Sequence, residues 1–118
     1  MTELLLIGLL SFGLGTPDVS ITSTATCTAT AIGPTFGLGT GMMYFHFNTT
    51  CDAPVETLTI NATIDGPQDR TGTKTCTNAS SCSYLLGVSY ARGTWVWTND
   101  TTYTGGTSSA TNTVTYNQ

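Results

Sequence analysis

Residues 19–32 read Val-Ser-Ile-Thr-Ser-Thr-Ala-Thr-Cys-Thr-Ala-Thr-Ala-Ile, and small or apolar residues alternate with hydroxyl residues along almost the whole stretch. A period of two is typical of an extended strand that has one buried face and one face toward water. Gly33-Pro34 follows and ends the pattern. The stretch therefore predicts a long, half-buried β-strand.

The same alternation recurs toward the C-terminus. Apolar positions of one parity fill segments 42–49, 55–64, 81–90, 94–98 and 110–116, and threonines of one parity fill 71–77. Turn residues such as Asp65-Gly66-Pro67 separate these segments, and no helical period is present. Short strands spaced in this way are typical of β-sandwiches. We expect an all-β fold, an Ig-like or Greek-key sandwich of about seven strands over residues 18–118, preceded by a separate segment at 1–17.

The composition narrows the range of functions that the chain can have. Only 8% of the 118 residues are charged, the net charge is −4, and there are three basic residues. Such a chain lacks the basic footprint of a nucleic-acid-binding protein. Threonine accounts for 27 residues, which favours strands and gives the surface hydroxyl groups in place of charges.

Four cysteines indicate two disulfides and an oxidising compartment. Three pairings are possible. The short polar loop between Cys76 and Cys82 favours that pair and leaves Cys27 with Cys51. A zinc site would need closer paired spacing than this sequence offers.

Sequons of the form N-x-[ST] agree with export. They predict N-glycans at Asn48, Asn61, Asn78 and Asn99, and the hydroxyl stripe predicts O-glycans at Thr22, Thr24, Thr26, Thr28 and Thr30. Simple solvation of a hydroxyl stripe is the alternative.

The segment before the sandwich is apolar and alternates too. Its main parity consists of Leu4, Leu6, Leu10, Phe12 and Leu14, and Thr16-Pro17-Asp18 follows as a hinge. The segment lacks the basic start and the small-residue cleavage site of a signal peptide. Its apolar run is also shorter than the stretch of about 20 residues that a membrane helix needs. An ordinary first strand of the same domain is the closest competitor. We expect a strand that inserts into a neighbouring subunit, because an uncovered apolar strand promotes association.

Candidate chemical sites have simpler explanations. His46 alternates on a polar strand face, and Asp52 and Glu56 lie near a turn. Trp95 and Trp97 share a face and suit either a core or a sugar-stacking platform. We therefore expect no enzyme activity, no metal and no cofactor other than covalent glycans.

Residues 18–118 resemble small secreted β-sandwich domains with two disulfides. The segments that carry this resemblance are Thr26-Cys27-Thr28, Cys51-Asp52-Ala53-Pro54-Val55 and residues 76–82. The N-terminal segment looks like the donor strand of fibre-forming subunits, including chaperone–usher pilins and glycosylated extracellular filaments. That resemblance implies a structural subunit of a cell-surface or secreted fibre, a helical homopolymer joined head to tail by donor strands. The alternative is a secreted module that binds carbohydrate or a surface through Trp95 and Trp97.

Overall fold

A computed structural model describes residues 25–118 of the chain. These residues form five strands: β1 (Cys27–Phe36), β2 (Met42–Asp65), β3 (Arg70–Ser89), β4 (Gly93–Tyr103) and β5 (Gly106–Tyr116). The strands make one antiparallel sheet, in which β2 pairs with β1, β3 and β4, and β4 also pairs with β5. The all-β class is confirmed. The expected donor-strand residues Leu4, Leu6, Leu10, Phe12 and Leu14, the hinge, and Thr22 and Thr24 lie outside the described residues.

Strand β2 has three neighbours because it changes partner midway. Its first half pairs with β1 and its second half pairs with β4, while β3 follows it on the other side. The register shifts between Thr50 and Val55, where extra residues bend the strand as in a β-bulge. The buried parity changes from odd to even just after this shift, between Val55 and Leu58. The buried apolar residues are Met43, Phe45, Phe47 and Val55 before the change, and Leu58, Ile60, Ala62 and Ile64 after it.

The number of strands differs from the sequence-based expectation of about seven. The predicted strands 42–49 and 55–64 are two halves of β2, and 71–77 and 81–90 fall in two halves of β3. The backbone of β2 continues through Asp52-Ala53-Pro54, since a proline is tolerated where a bulge interrupts the ladder. In β3 the change of direction lies near Asn78, which has a φ of 50°. The described residues thus form a curled sheet of five long strands.

Because the sheet is curled, residues from both ends of β2 contact the same side chain of β4, Trp97. Trp97 pairs with Ile64 near the end of β2, yet its ring centroid is 4.8 Å from that of Phe45 near the start. Trp95 also packs on Phe45, at 5.7 Å. Strand β4 therefore lies against both halves of β2, and the aromatic rings between them form the centre of the core.

Both disulfides are present in the pairing that the cysteine spacing favours. Cys27–Cys51 joins β1 to β2 at directly paired positions, and Cys76–Cys82 joins the two halves of β3 across its bend. Each crosslink thus lies where the sheet changes partner or direction. By shortening the loops of the unfolded chain, such crosslinks stabilise a small domain by about 2–4 kcal/mol each.

A polar network inside the core fixes β4 against β1 and β2. Asn99 is fully buried, and its Nδ2 donates to the carbonyl oxygens of Thr30 and Asn48 at 3.1 and 3.0 Å. Its Oδ1 accepts from Thr101 Oγ1 at 2.7 Å, and Thr101 is 2.7 Å from Thr49 Oγ1. A buried polar cluster that is fully hydrogen-bonded specifies one arrangement of its strands.

Replacing Asn99 by alanine should lower the free energy of unfolding by about 3 kcal/mol, since it leaves buried hydrogen-bonding groups without partners and opens a cavity. The measurement is urea unfolding with both disulfides intact. Asn61→Ala, an exposed control on β2, should change the value by less than about 0.5 kcal/mol. An Asn99→Ala variant as stable as the wild type would show that the network does not hold β4 in place.

Candidate functional site

The two end strands of the curled sheet, β1 and β5, face each other without pairing. Within the described residues no ladder joins them, and side chains bridge the gap. Ser108 Oγ accepts a hydrogen bond from Ala29 N at 3.0 Å, and Asn112 Nδ2 donates to Ala31 O at 3.1 Å. The two bonded positions are two residues apart on β1 but four residues apart on β5. No regular ladder can follow this mismatch in spacing. We call this gap the β1–β5 seam.

The core becomes thinner toward this seam. The inward side chains of β4 are buried to 1% exposure or less: Trp95, Trp97, Asn99 and Thr101. Those of β5 remain only half-buried or exposed, at Ser108, Ala110, Asn112, Val114 and Tyr116. The seam is therefore the place where the sheet is least covered and where its edges lack a strand partner.

The opposite edge, along the second half of β3, is closed differently. Lys74 Nζ donates to Ser83 O at 3.4 Å and Arg70 donates to Gly87 O at 2.5 Å. Gln68 Oε1 accepts from Ser89 N at 3.1 Å. Two of the three basic residues of the chain thus bind backbone carbonyls at this edge. Charged side chains on an edge oppose the addition of another strand.

Three aromatic rings close one end of the seam. Phe36 at the end of β1 packs against Tyr90 and Tyr116, with centroids 6.1 and 5.8 Å away. The Tyr90 hydroxyl donates to the carbonyl oxygen of Gln118. Burial raises the pKa of the Tyr116 hydroxyl, and charge repulsion from Tyr90 raises it further. The ring cluster ties the C-terminal ends of β1 and β5 together.

The four sequons occupy different environments. Asn61 and Asn78 are exposed and Asn48 is half-buried, whereas Asn99 is fully buried. An N-glycan is attached to Nδ2, which in Asn99 donates inside the core. The folded protein has no room for a glycan at Asn99, so we leave it out of the glycosylation proposal below. Of the threonines on the hydroxyl stripe, Thr26 and Thr28 are exposed and Thr30 is half-buried.

The tryptophan pair lies in the core. Trp95 and Trp97 are 0% and 1% exposed, and Trp95 Nε1 donates to Ala91 O at 3.0 Å. A sugar-stacking platform needs exposed indole faces. The geometry therefore supports the core interpretation of this pair.

The polar residues weighed for chemistry bind neighbouring groups. His46 is half-buried on an outer face, with Nε2 2.9 Å from Thr35 Oγ1. Asp52 Oδ1 accepts from Thr26 N at 2.9 Å, and Glu56 is exposed. Within residues 25–118 no group of three or more His, Cys, Asp or Glu is placed to hold a metal ion. No helix in the described part of the chain is long and apolar enough to span a membrane.

Sequence reasoning missed the residues that define the two edges. Ser108, Asn112, Lys74 and Arg70 carry no local signal, because their role depends on which strands lie at the ends of the curled sheet. Comparison with protein-family models, curated proteins and solved structures finds no match. The function proposed below therefore rests on the sequence pattern and on the geometry of residues 25–118.

Above about pH 10, the usual pKa of tyrosine, the folded protein should keep the Tyr116 proton while the unfolded chain loses it. The unfolded state then binds fewer protons, so the free energy of unfolding should fall as the pH rises through this range. Tyr116→Phe should lose less stability between pH 9 and pH 11 than the wild type, as measured by urea unfolding at each pH. Parallel declines in the two proteins would contradict this assignment.

Proposed function

We propose that this chain is a structural subunit of an extracellular glycoprotein fibre, polymerised head to tail by its N-terminal strand. The donor residues are Leu4, Leu6, Leu10, Phe12 and Leu14, inserted into a neighbouring copy. The single observation that carries the proposal is the β1–β5 seam, two neighbouring strand edges that only side chains connect.

The seam offers what an added strand requires. Unpaired N–H and C=O groups on a strand edge are a template for another strand. The half-buried inward residues of β5, including Val114 and Tyr116, provide apolar surface for the alternate side chains of that strand. Insertion would exchange the Ser108 and Asn112 bridges for backbone ladders and complete a sandwich of the Ig-like or Greek-key kind.

The two edges of the sheet explain why insertion would occur at one place. Lys74 and Arg70 occupy the carbonyls of the β3 edge with charged groups. Neutral Ser108 and Asn112 occupy the seam, where their displacement removes no ionised group from its hydrogen bonds. A donor strand is therefore expected at the seam and not along β3. One directed contact of this kind propagates as an open fibre when it does not close into a ring.

The covalent chemistry agrees with a location outside the cell. Two disulfides persist in oxidising compartments. Exposed Asn61 and Asn78 can carry N-glycans on the half of the sheet away from β1, and exposed Thr26 and Thr28 can carry O-glycans. Attached sugars would keep a surface wet that has few charges. We include no catalytic role, metal or cofactor in the proposal.

Replacing Leu10 and Phe12 by aspartate should abolish polymerisation, because burying two carboxylates among apolar side chains is costly. Filament formation is measured by electron microscopy and sedimentation, and folding by circular dichroism. The control places the same two charges on the other parity, as Ser11→Asp and Gly13→Asp, and should still polymerise. Filaments from the Leu10/Phe12 variant, or from a chain beginning at Thr16, would contradict donor-strand assembly. Loss of folding in that variant would place residues 4–14 in the core of their own subunit.

The glycan part of the proposal is tested by intact mass. The protein from its native source should be heavier than the 12.4 kDa of the bare chain and should lose the excess after deglycosylation. Asn61→Gln and Asn78→Gln should each remove one glycan, whereas Asn99→Gln should remove none, since Asn99 is buried. A mass equal to that of the bare chain would contradict glycosylation.

A further inference from the structure

One outer face of the sheet has no charged side chain of its own and carries exposed apolar side chains in register. Lys74 and Arg70 reach only its β3 rim, where they bind the carbonyls of Ser83 and Gly87. Ile32, His46 and Leu85 lie side by side on β1, β2 and β3. Ile32 and Leu85 are 51% and 49% exposed. The rows on either side contain Tyr44 and Gly87, and Thr30, Asn48 and Ser83. We call this surface the His46 face.

The packing of this face makes it smooth. The Tyr44 ring lies over Gly87, where an added Cβ would be 2.9 Å from the ring carbon Cε1. His46 is turned toward Thr35, with Nε2 at 2.9 Å from the threonine hydroxyl. The apolar row is thus flanked by a flat aromatic ring on one side and by small polar groups on the other.

Charge separates this face from the rest of the described surface. The acidic residues of the described chain lie at the β2 bend, in the turn after β2, or on the outer face of the other half of the sheet: Asp52, Glu56, Asp65, Asp69 and Asp100. The chain carries a net charge of −4, so two copies repel each other through surfaces that bear these groups. The His46 face presents apolar surface without an acidic side chain, and the two cations at its β3 rim, Lys74 and Arg70, are bound to backbone carbonyls.

We infer that the His46 face is a self-association surface, which packs filaments of this chain side by side. The inference rests on the proposed function, because the face is small and needs the repeated contacts of a filament. Three strands about 4.8 Å apart and three rows about 6.7 Å apart give roughly 300 Å². A stable protein pair buries about 800 Å² on each partner. One pair of faces is therefore too small to hold two monomers together, whereas a filament repeats the contact many times and gains avidity.

The sequon at Asn48 makes the inference specific. Asn48 lies in the row next to His46 and is paired with Ser83. A glycan at this position, or on Thr28 in the next row of the same outer face, would cover the face, so Asn48 and Thr28 must be unmodified in associated filaments. Asn61 and Asn78 lie elsewhere on the sheet, and sugars there leave the face open.

The first experiment uses full-length glycosylated protein and two matched double variants. Ile32→Asp with Leu85→Asp places charges on both sides of His46. Thr98→Asp with Thr71→Asp places charges on both sides of Thr63 in the equivalent three-strand row of the other half. Electron micrographs and low-speed sedimentation measure the fraction of filaments that lie side by side.

The expected result is at least a tenfold fall in side-by-side filaments for the Ile32/Leu85 variant, with single filaments retained, and no change for the Thr98/Thr71 control. Persistent association in the first variant, an equal loss in the control, or wild-type filaments that stay single would overturn the inference and leave the proposed function standing. A wild-type chain that forms no filaments would overturn both.

A second measurement identifies what covers the face. A photo-crosslinking phenylalanine derivative in place of His46 should link to residues 27–36 or 81–89 of another copy, as read by mass spectrometry of digested filaments. Links to residues 4–14 would show that the N-terminal strand covers the face and would overturn the inference. Mass spectrometry that finds a glycan at Asn48 in associated filaments would overturn it as well.

Discussion

The change of buried parity inside β2 is the constraint on which the rest of the sheet depends. Odd residues face the core up to Val55 and even residues face it from Leu58 onward, so the strand supplies one apolar surface on each side of its bend. The strand must then bend back to bury both, and β4 fills the space between its halves. Strand β3 follows β2 through the bend, and the Cys76–Cys82 disulfide holds its two halves together. The same bend leaves β1 and β5 as facing ends of the sheet, which creates the seam.

A chain with so few charges has to satisfy its buried and edge polar groups with neutral side chains. Asn99 and two threonines provide the hydrogen bonds of the core, and Ser108 and Asn112 bridge the seam. The basic side chains that bind strand carbonyls, Lys74 and Arg70, lie at the β3 edge. Because a charged cap is harder to displace than a hydroxyl or an amide, the two edges differ in their readiness to accept another strand. Chemical asymmetry of this kind gives an assembling subunit a direction.

The sequence could predict features that depend on neighbours along the chain. Alternation identified the inward side chains of both halves of β2 correctly, and the short loop between Cys76 and Cys82 indicated their pairing. It could not predict that two pairs of predicted strands are continuous, because Pro54 reads as a terminator unless the bulge is known. The burial of Asn99 was also hidden, since the predicted strand 94–98 ends before it, whereas β4 continues to Tyr103 and keeps Asn99 on the buried parity of the two tryptophans. The β1–β5 seam could not be predicted from the sequence, because it depends on which strands lie at the ends of the sheet.

A surface that carries threonine in place of charged residues matters for assembly, because every subunit of a polymer repeats the same surface. A subunit present in many copies multiplies every weak surface property, so a single unfavourable charge pair between neighbours would recur along the whole polymer. Hydroxyl groups on the outer faces hydrogen-bond to each other across strands, as Thr98 and Thr111 do at 3.1 Å, and to water, and they carry no long-range field. In the proposed fibre, solubility would be left to covalent sugars at a few exposed positions, and a face that lacks them could remain apolar. The composition and the uncharged His46 face are thus two aspects of the same requirement in the proposed fibre.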